Sequence, residues 1–359
     1  MSHLADLIAR FDPSLPLEHA RTIPAAWYFD REIAELERRT VFAGWQAAAR
    51  CDQVLGNGSF ATADIAGEPV LVVRDDAGFL RAFHNVCRHR AAPLMTEPCG
   101  QVAKLRCRYH GWTYDLAGRL RGTPEFDGVC DFDRADNGLV PMTVAEWGPF
   151  VWVHDGMTAS PLAEFLKPLP QMTEGAGMNR LRWSARKEYE LACNWKVYVD
   201  NYLDGGYHVN TVHPELAGVL DYVQYRTELF ANCSVQTSPL VPDERIGSVR
   251  SGTTASYWWV YPNLMLNLYD NVMDINLVLP LGPDRCRVIF DFYFAEQCEE
   301  FIQESISVAD RVQQEDMLIC EQVQRGLQSR SYDVGRFSVR REAGGYHFHR
   351  LLAAQLAGR

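Results

Sequence analysis

Cys87-Arg88-His89, seventeen further residues, then Cys107-Arg108-Tyr109-His110-Gly111-Trp112: this stretch decides how the 359-residue chain is read. Each pair sets one soft thiolate beside one imidazole, so two pairs offer two sulfur and two nitrogen ligands. A tetrahedral zinc ion accepts such a set. Unrelated buried thiols beside surface histidines would also produce it. The first pair is C-x-H, tighter than the usual zinc loop, and Cys and His alternate within both pairs. That order suits a [2Fe–2S] cluster with both cysteines on one iron and both histidines on the other. Imidazole is neutral where thiolate is anionic, so such a cluster is easier to reduce, and the outer nitrogen of each ring can bond a nearby acid. Cys99 and Cys130 lie outside the pattern and read as ordinary buried thiols.

Around these pairs, residues 58–153 have the texture of a β module. Ala61-Thr-Ala-Asp-Ile-Ala-Gly67, the run from Glu68 to Val86 and Arg119-Leu-Arg-Gly122 read as strands, with Asp75-Asp76-Ala77-Gly78 and Ala-Gly steps as hairpin turns. Before them, residues 30–45 carry Ile33, Leu36, Val41 and Phe42 roughly on one helical face. After them, Pro161-Leu-Ala-Glu-Phe-Leu-Lys-Pro-Leu-Pro-Gln-Met172 marks a boundary. The remainder mixes strands (residues 257–269 and 286–295) with helices expected at 194–209 and 300–327, so the class is α+β. The expected division is a helical segment at 1–42 packing on the last domain, a β domain at 43–155, and the last domain at 156–359.

Composition narrows the function classes. Hydrophobic residues make up 47% and charged residues 23%, which is ordinary globular usage. Asp plus Glu number 46 against 35 Lys plus Arg, a net charge of −11 that disfavours nucleic acid and anionic membrane as partners. No apolar run approaches the ~20 residues of a membrane span. The opening Met1-Ser-His-Leu-Ala-Asp-Leu-Ile-Ala-Arg10 lacks a cationic segment followed by an apolar one, so the expected location is the cytoplasm. In that reducing compartment the ten cysteines point to metal more than to disulfides.

A second constellation spans Cys193 to Pro214. His208 and His213 are two of only ten histidines and stand beside Asp200 and Asp204. On a straight helix five residues advance about 500°, which leaves the two rings ~140° apart. Both face one metal only if the helix ends between them, and Pro214 supports an ending. Asp200, Asp204 and His208 recur every four residues and so would share one helical face. A plain polar face with surface histidines fits this stretch equally well. For a third ligand Asp274, Asp291, Asp310 and Glu315 are all open.

Together the two constellations resemble a known family. C-x-H-x17-C-x2-H followed by Gly-Trp resembles the Rieske domain of ring-hydroxylating oxygenase large (alpha) subunits. Asn194-Trp-Lys and Asp200-Asn-Tyr-Leu-Asp-Gly-Gly-Tyr-His208-x4-His213 resemble the mononuclear iron motif of the same enzymes. The resemblance runs over nearly the whole chain. It implies an all-β Rieske domain, with the cluster on Cys87, His89, Cys107 and His110, plus a catalytic domain whose antiparallel sheet is flanked by helices. It implies Fe(II) on His208 and His213, and the run Glu315-Asp316-x3-Cys320-Glu321 aligns Asp316 with the iron carboxylate. Open positions on such an iron receive O₂ beside the substrate. A separate flavin or iron–sulfur reductase would bring electrons from NAD(P)H, in keeping with the lack of any G-x-G-x-x-G dinucleotide loop here. Relatives form homotrimers in which electrons cross between subunits, setting His110 of one chain near Asp204 of the next. One departure stands out. Many relatives carry the acid that bridges the two centres three residues before the first iron histidine, where this chain has Gly205. Asp204 is the expected bridge, with Asp200 as the fallback.

Residues 194–221 look most like the choline-monooxygenase branch, which oxidises quaternary ammonium compounds. Tyr257, Trp258, Trp259, Tyr261 and Tyr269, with Tyr202, form a dense aromatic group, and an aromatic face attracts a methylated cation by ~0.5–2 kcal/mol. Such a strand also simply packs a core. Within the enzyme class the other readings are an aromatic-ring dioxygenase and an O-demethylase acting on an aromatic acid. A different class is a Rieske electron carrier without chemistry of its own, which would hold about two irons per chain where the oxygenase holds about three.

Overall fold

The computed structural model describes residues 3–213, 220–240, 251–296 and 298–358. It separates into two units, residues 42–162 and residues 1–41 together with 163–359. In the first unit a seven-stranded antiparallel sheet is built from β1 (Gln46–Arg50), β2 (Ser59–Ile65), β3 (Glu68–Arg74), β4 (Leu80–His84), β5 (Cys99–Gln101), β9 (Pro141–Trp147) and β10 (Phe150–His154). A smaller sheet joins β6 (Leu105–Arg106), β7 (Thr113–Tyr114) and β8 (Leu120–Gly122). The turns explain the pairing. Ala66 and Gly67 both lie at positive φ (55° and 86°), the geometry that lets a two-residue turn match the twist of β2 and β3. Asp75 closes the next hairpin by accepting from the amides of Ala77 and Phe79 and from Arg81. Phe60, Leu71, Val73, Phe83, Leu105 and Trp112 form the core under Cys87 and Cys107. Cys99 and Cys130 are exposed rather than buried, because Cys99 lies on the short edge strand β5 and Cys130 in the loop beyond β8.

In the second unit, α1 (Arg31–Thr40) starts where Asp30 accepts from the amides of Glu32 and Ile33. It stops short of Trp45, because the chain turns there into β1. The sheet of this unit is antiparallel and runs β11 (Arg182–Leu191), β17 (Arg285–Phe294), β16 (Val272–Gly282), β15 (Leu264–Leu268), β14 (Thr254–Val260), β13 (Cys233–Pro239) and β12 (Arg226–Leu229) from edge to edge. Helices α2 (Trp195–Tyr202), α3 (Val209–Val212), α4 (Glu299–Leu327) and α5 (Ala343–Leu356) belong to the same unit, beside shorter helical turns. The α+β reading therefore holds. A buried ion pair fastens the start of the chain to α2: Lys196 Nζ donates to Glu37 at 2.6 Å and Trp195 Nε1 to the other oxygen at 2.9 Å. Both charges are out of water, and removing either partner would strand the other at a cost of about 3–5 kcal/mol.

Candidate metal centres

The two Cys/His loops are one backbone turn used twice. Cys87 N–H donates to Ala92 O at 2.9 Å while Ala91 N–H returns to Cys87 O at 3.0 Å. Cys107 N–H donates to Trp112 O at 2.9 Å and Gly111 N–H to Cys107 O at 3.0 Å. The residue four after each cysteine is left-handed, Ala91 at φ 57° and Gly111 at φ 75°. Only the histidine differs, two residues on in the first loop and three in the second. The rings of His89 and His110 come within 4.5 Å of each other, and His89 stacks on Trp112 at 4.9 Å. His89 Nδ1 is buried with no hydrogen-bond partner. Burial, then the neighbouring His110 and Arg90, lowers the His89 pKa and keeps the ring neutral. Burial foremost raises the Cys87 thiol, so its thiolate calls for a cation. A neutral imidazole with an idle inner nitrogen beside two buried thiols fits a cluster with iron on that side.

The candidate iron site is assembled from distant parts of the chain. Helix α2 ends at Tyr202, so no continuous helix spans residues 194–209 and Asp200, Asp204 and His208 do not share a helical face. Gly205 and Gly206 follow at φ 70° and 72°, and a Cβ on Gly205 would lie 2.1 Å from the Arg341 carbonyl oxygen. That contact leaves no room for a side chain at 205. Asp204 instead ties the turn together, accepting from the amides of Tyr207 (3.0 Å) and His208 (2.9 Å) and from His208 Nδ1 (2.6 Å). Asp200 faces elsewhere: the Tyr28 hydroxyl donates to it at 2.5 Å and His349 Nε2 at 2.9 Å. Of the two expected bridge acids, Asp204 is the one bonded to His208. Pro214 lies outside the described residues.

His208 Nε2 and His213 Nε2 lie 3.1 Å apart, and Asp316 Oδ1 on α4 lies 3.1 Å from the second and 3.8 Å from the first. Two atoms each about 2.1 Å from one ion at a right angle would be about 3.0 Å apart, so the three fit one face of an octahedral ion. Acids hold the far side of both rings, Asp204 on His208 and Glu315 on His213 at 2.6 Å, so Nε2 is the nitrogen turned inward. Asn201 donates to Asp316 Oδ1 at 2.7 Å. Burial works against a charge on His213, but Asp316 and Glu315 outweigh it and raise its pKa. The other candidate carboxylates are engaged elsewhere. Asp291 is gripped by Arg186 and Trp183, Asp310 by Tyr189 and Lys187, and Asp274 accepts from Asn267.

A cavity of about 110 Å³ opens beside the three ligands. Of the six aromatic residues expected to meet substrate, Tyr202, Tyr257 and Tyr269 line it, whereas Trp258, Trp259 and Tyr261 do not. Strand alternation turns Trp258 to the other face of β14, stacked on Phe230. Trp259 packs on Phe348 of α5 and donates to Pro262 O, with Tyr261 against its edge. Tyr225, Asn267, Asn276 and Gln313 line the cavity and were not anticipated, and Asp274, a candidate third ligand in the sequence, lines it without joining the three. The available signal was Asp274 and Asn276, two polar residues on one face of an otherwise apolar strand.

Residues 44–133 match the Rieske [2Fe-2S] domain, and residues 178–358 match the ring hydroxylating alpha subunit catalytic domain. The chain belongs to the Rieske oxygenase alpha-subunit family. This oxygenase is 40% identical to choline monooxygenase, chloroplastic, of Arabidopsis thaliana, over 98% of this chain and 87% of that one. It is 30% identical to the carnitine monooxygenase oxygenase subunit of Escherichia coli (strain K12), over 94% of each. A solved quaternary ammonium Rieske monooxygenase, described for carnitine oxidation and inter-subunit electron transfer, superposes with a TM-score of 0.87 at 27% identity over 98% of both chains. The Rieske oxygenase thus carries a [2Fe–2S] domain and a non-haem iron catalytic domain, and acts with O₂ on a small molecule. The carrier reading falls, because the second matched region is catalytic. No helix among the described residues is long and apolar enough to cross a membrane.

Proposed function

We propose that this enzyme inserts one atom of O₂ into a C–H bond of a small quaternary ammonium compound. The other oxygen atom leaves as water with two electrons and two protons. The observation that carries the reading is the tyrosine wall beside the three iron ligands. Tyr257 and Tyr269 join through their hydroxyls at 3.0 Å, and Tyr225 stacks on Tyr257 at 6.4 Å. Aromatic faces hold a methylated cation that water solvates only weakly, and Asp274 places a buried carboxyl in the same wall. The quaternary ammonium relatives support the same class.

Cys87, His89, Cys107 and His110 would hold the cluster, and His208, His213 and Asp316 the iron; when bound, these groups supply single electrons and an open site for O₂. The remaining work belongs to side chains. Glu315 and Asp204 fix both iron-facing imidazoles, and Asn201 aims the Asp316 carboxylate. Burial raises the Tyr202 phenol far above its ordinary range, so it stays a donor. Asp204, bonded to an iron ligand, is the residue through which electrons would arrive from a second copy within a homotrimer fed by an NAD(P)H reductase. All ten cysteines are unpaired, which suits a reducing compartment such as the cytoplasm.

Reductase-coupled turnover against choline, carnitine, betaines and a set of aromatic acids tests this. Product from the quaternary ammonium compounds is expected. Product from aromatic acids alone would sink the reading. Sedimentation should give three chains per particle.

A further inference from the structure

Two amide side chains in the cavity wall have their oxygens engaged and their nitrogens idle. Asn276 Oδ1 accepts from Asn267 Nδ2 at 3.2 Å, and Gln313 Oε1 accepts from the Tyr198 hydroxyl at 2.6 Å. Asn276 Nδ2 and Gln313 Nε2 are buried without any partner, on residues only 3% and 1% exposed. The Asn276 orientation follows from its neighbours. Asn267 accepts from Tyr202 at 2.9 Å and donates to Asp274 at 2.6 Å, so the amide hydrogen it has left must meet an oxygen, and Asn276 supplies it. Buried donors in a folded protein almost always find an acceptor. Both residues line one cavity, so a molecule entering it can supply the missing acceptor.

We infer that Asn276 and Gln313 form an oxygen-anchoring subsite that selects a substrate bearing a neutral acceptor oxygen, a hydroxyl, at the end away from the methylated ammonium. This rests on the quaternary ammonium reading above. A carboxylate would also accept from the two amides, but it would share the cavity with the buried Asp274 carboxyl, which disfavours a second negative charge beside it. A hydroxyl meets the donors without that penalty. Gln313 lies three residues before Asp316 on α4, so the subsite stands next to the iron carboxylate.

Equilibrium binding to the iron-loaded enzyme, measured anaerobically by calorimetry, separates the claims. The probes are choline, ethyltrimethylammonium (the same cation without hydroxyl) and glycine betaine. Choline should bind about tenfold tighter than ethyltrimethylammonium and tighter than betaine, since a site built around a hydroxyl rejects the analogue lacking it. In Asn276→Leu with Gln313→Met, both idle donors are lost and no new acceptor for the choline hydroxyl is added. No charge is added either, so the choline to ethyltrimethylammonium ratio is the readout, and it should fall toward one. Equal binding of these two by the unaltered enzyme would overturn the subsite and leave the quaternary ammonium reading standing. Betaine binding as tightly as choline would overturn the preference for a neutral oxygen. Failure of every cation to bind would remove both readings.

Discussion

In the β unit the four candidate cluster ligands all lie between residues 87 and 110 and hang from one turn repeated. In the catalytic unit the carboxylate follows His213 by 103 residues, on a different helix. The first arrangement is local, so its ligand geometry is set by four backbone hydrogen bonds and two left-handed residues. The second is tertiary, held by Asp204, Glu315 and Asn201 acting on ligands that the fold delivers. A local site contributes to the folding of its own module. A tertiary site can lose a ligand while the scaffold around it survives.

The largest effect should come from Cys107→Ser. Visible absorption and the rhombic signal of the reduced cluster should vanish, and the thermal transition of residues 42–162 should fall by about 10 °C or more. Iron at the second site should remain. A colourless, zinc-loaded protein after anaerobic purification would break the comparison at its root. Next, His213→Ala should abolish turnover and empty the mononuclear site with the cluster spectrum unchanged. Full iron occupancy and activity in Asp316→Ala would move the carboxylate to another residue.

Asp204→Asn should keep both metals and slow single turnover from pre-reduced enzyme by about 10- to 100-fold, the usual cost of a lost ligand partner. Asp200→Asn should leave that rate near normal and lower thermal stability, because Asp200 serves Tyr28 and His349. The reverse pattern would make Asp200 the bridge. The smallest effects compare the two loops. Gly111→Ala should cost about 1–2 kcal/mol for a left-handed residue, with its Cβ 3.3 Å from Pro124. Ala91→Gly should gain about 0.5–1 kcal/mol at the equivalent position. Shifts in denaturation midpoint of opposite sign would show that both loops rely on the same left-handed turn.

Legibility followed the same divide. The cluster ligands could be read because chemistry and spacing sit together in a few residues, and the strands around them carry period-two patterning and hairpin residues. Asp316 as candidate iron carboxylate came through resemblance, since no local pattern marks it among so many acids. Asp204 does meet His208, yet by a glycine turn instead of the helical face expected. Sequence shows four-residue spacing, but not the Arg341 carbonyl that forces glycine at 205. Trp258, Trp259 and Tyr261 misled because one aromatic strand serves two faces and extends beyond the cavity. Asn276 and Gln313 carry no sequence signal beyond polarity in an apolar context.

The buried pair of Lys196 and Glu37 has a consequence in time as well as in space. Residues 42–162 form one uninterrupted stretch, so that unit is complete as soon as the ribosome has passed it. The other unit needs residues from both sides: Glu37 waits for Lys196, and Thr40 for Gln355, whose side chain donates to its carbonyl at 2.6 Å. At ordinary elongation rates the remaining chain takes roughly 10–40 s to appear. During that interval the thiol loops are ready for iron and sulfide while the second iron site does not yet exist. Cells would therefore load the electron store before building the place where oxygen reacts.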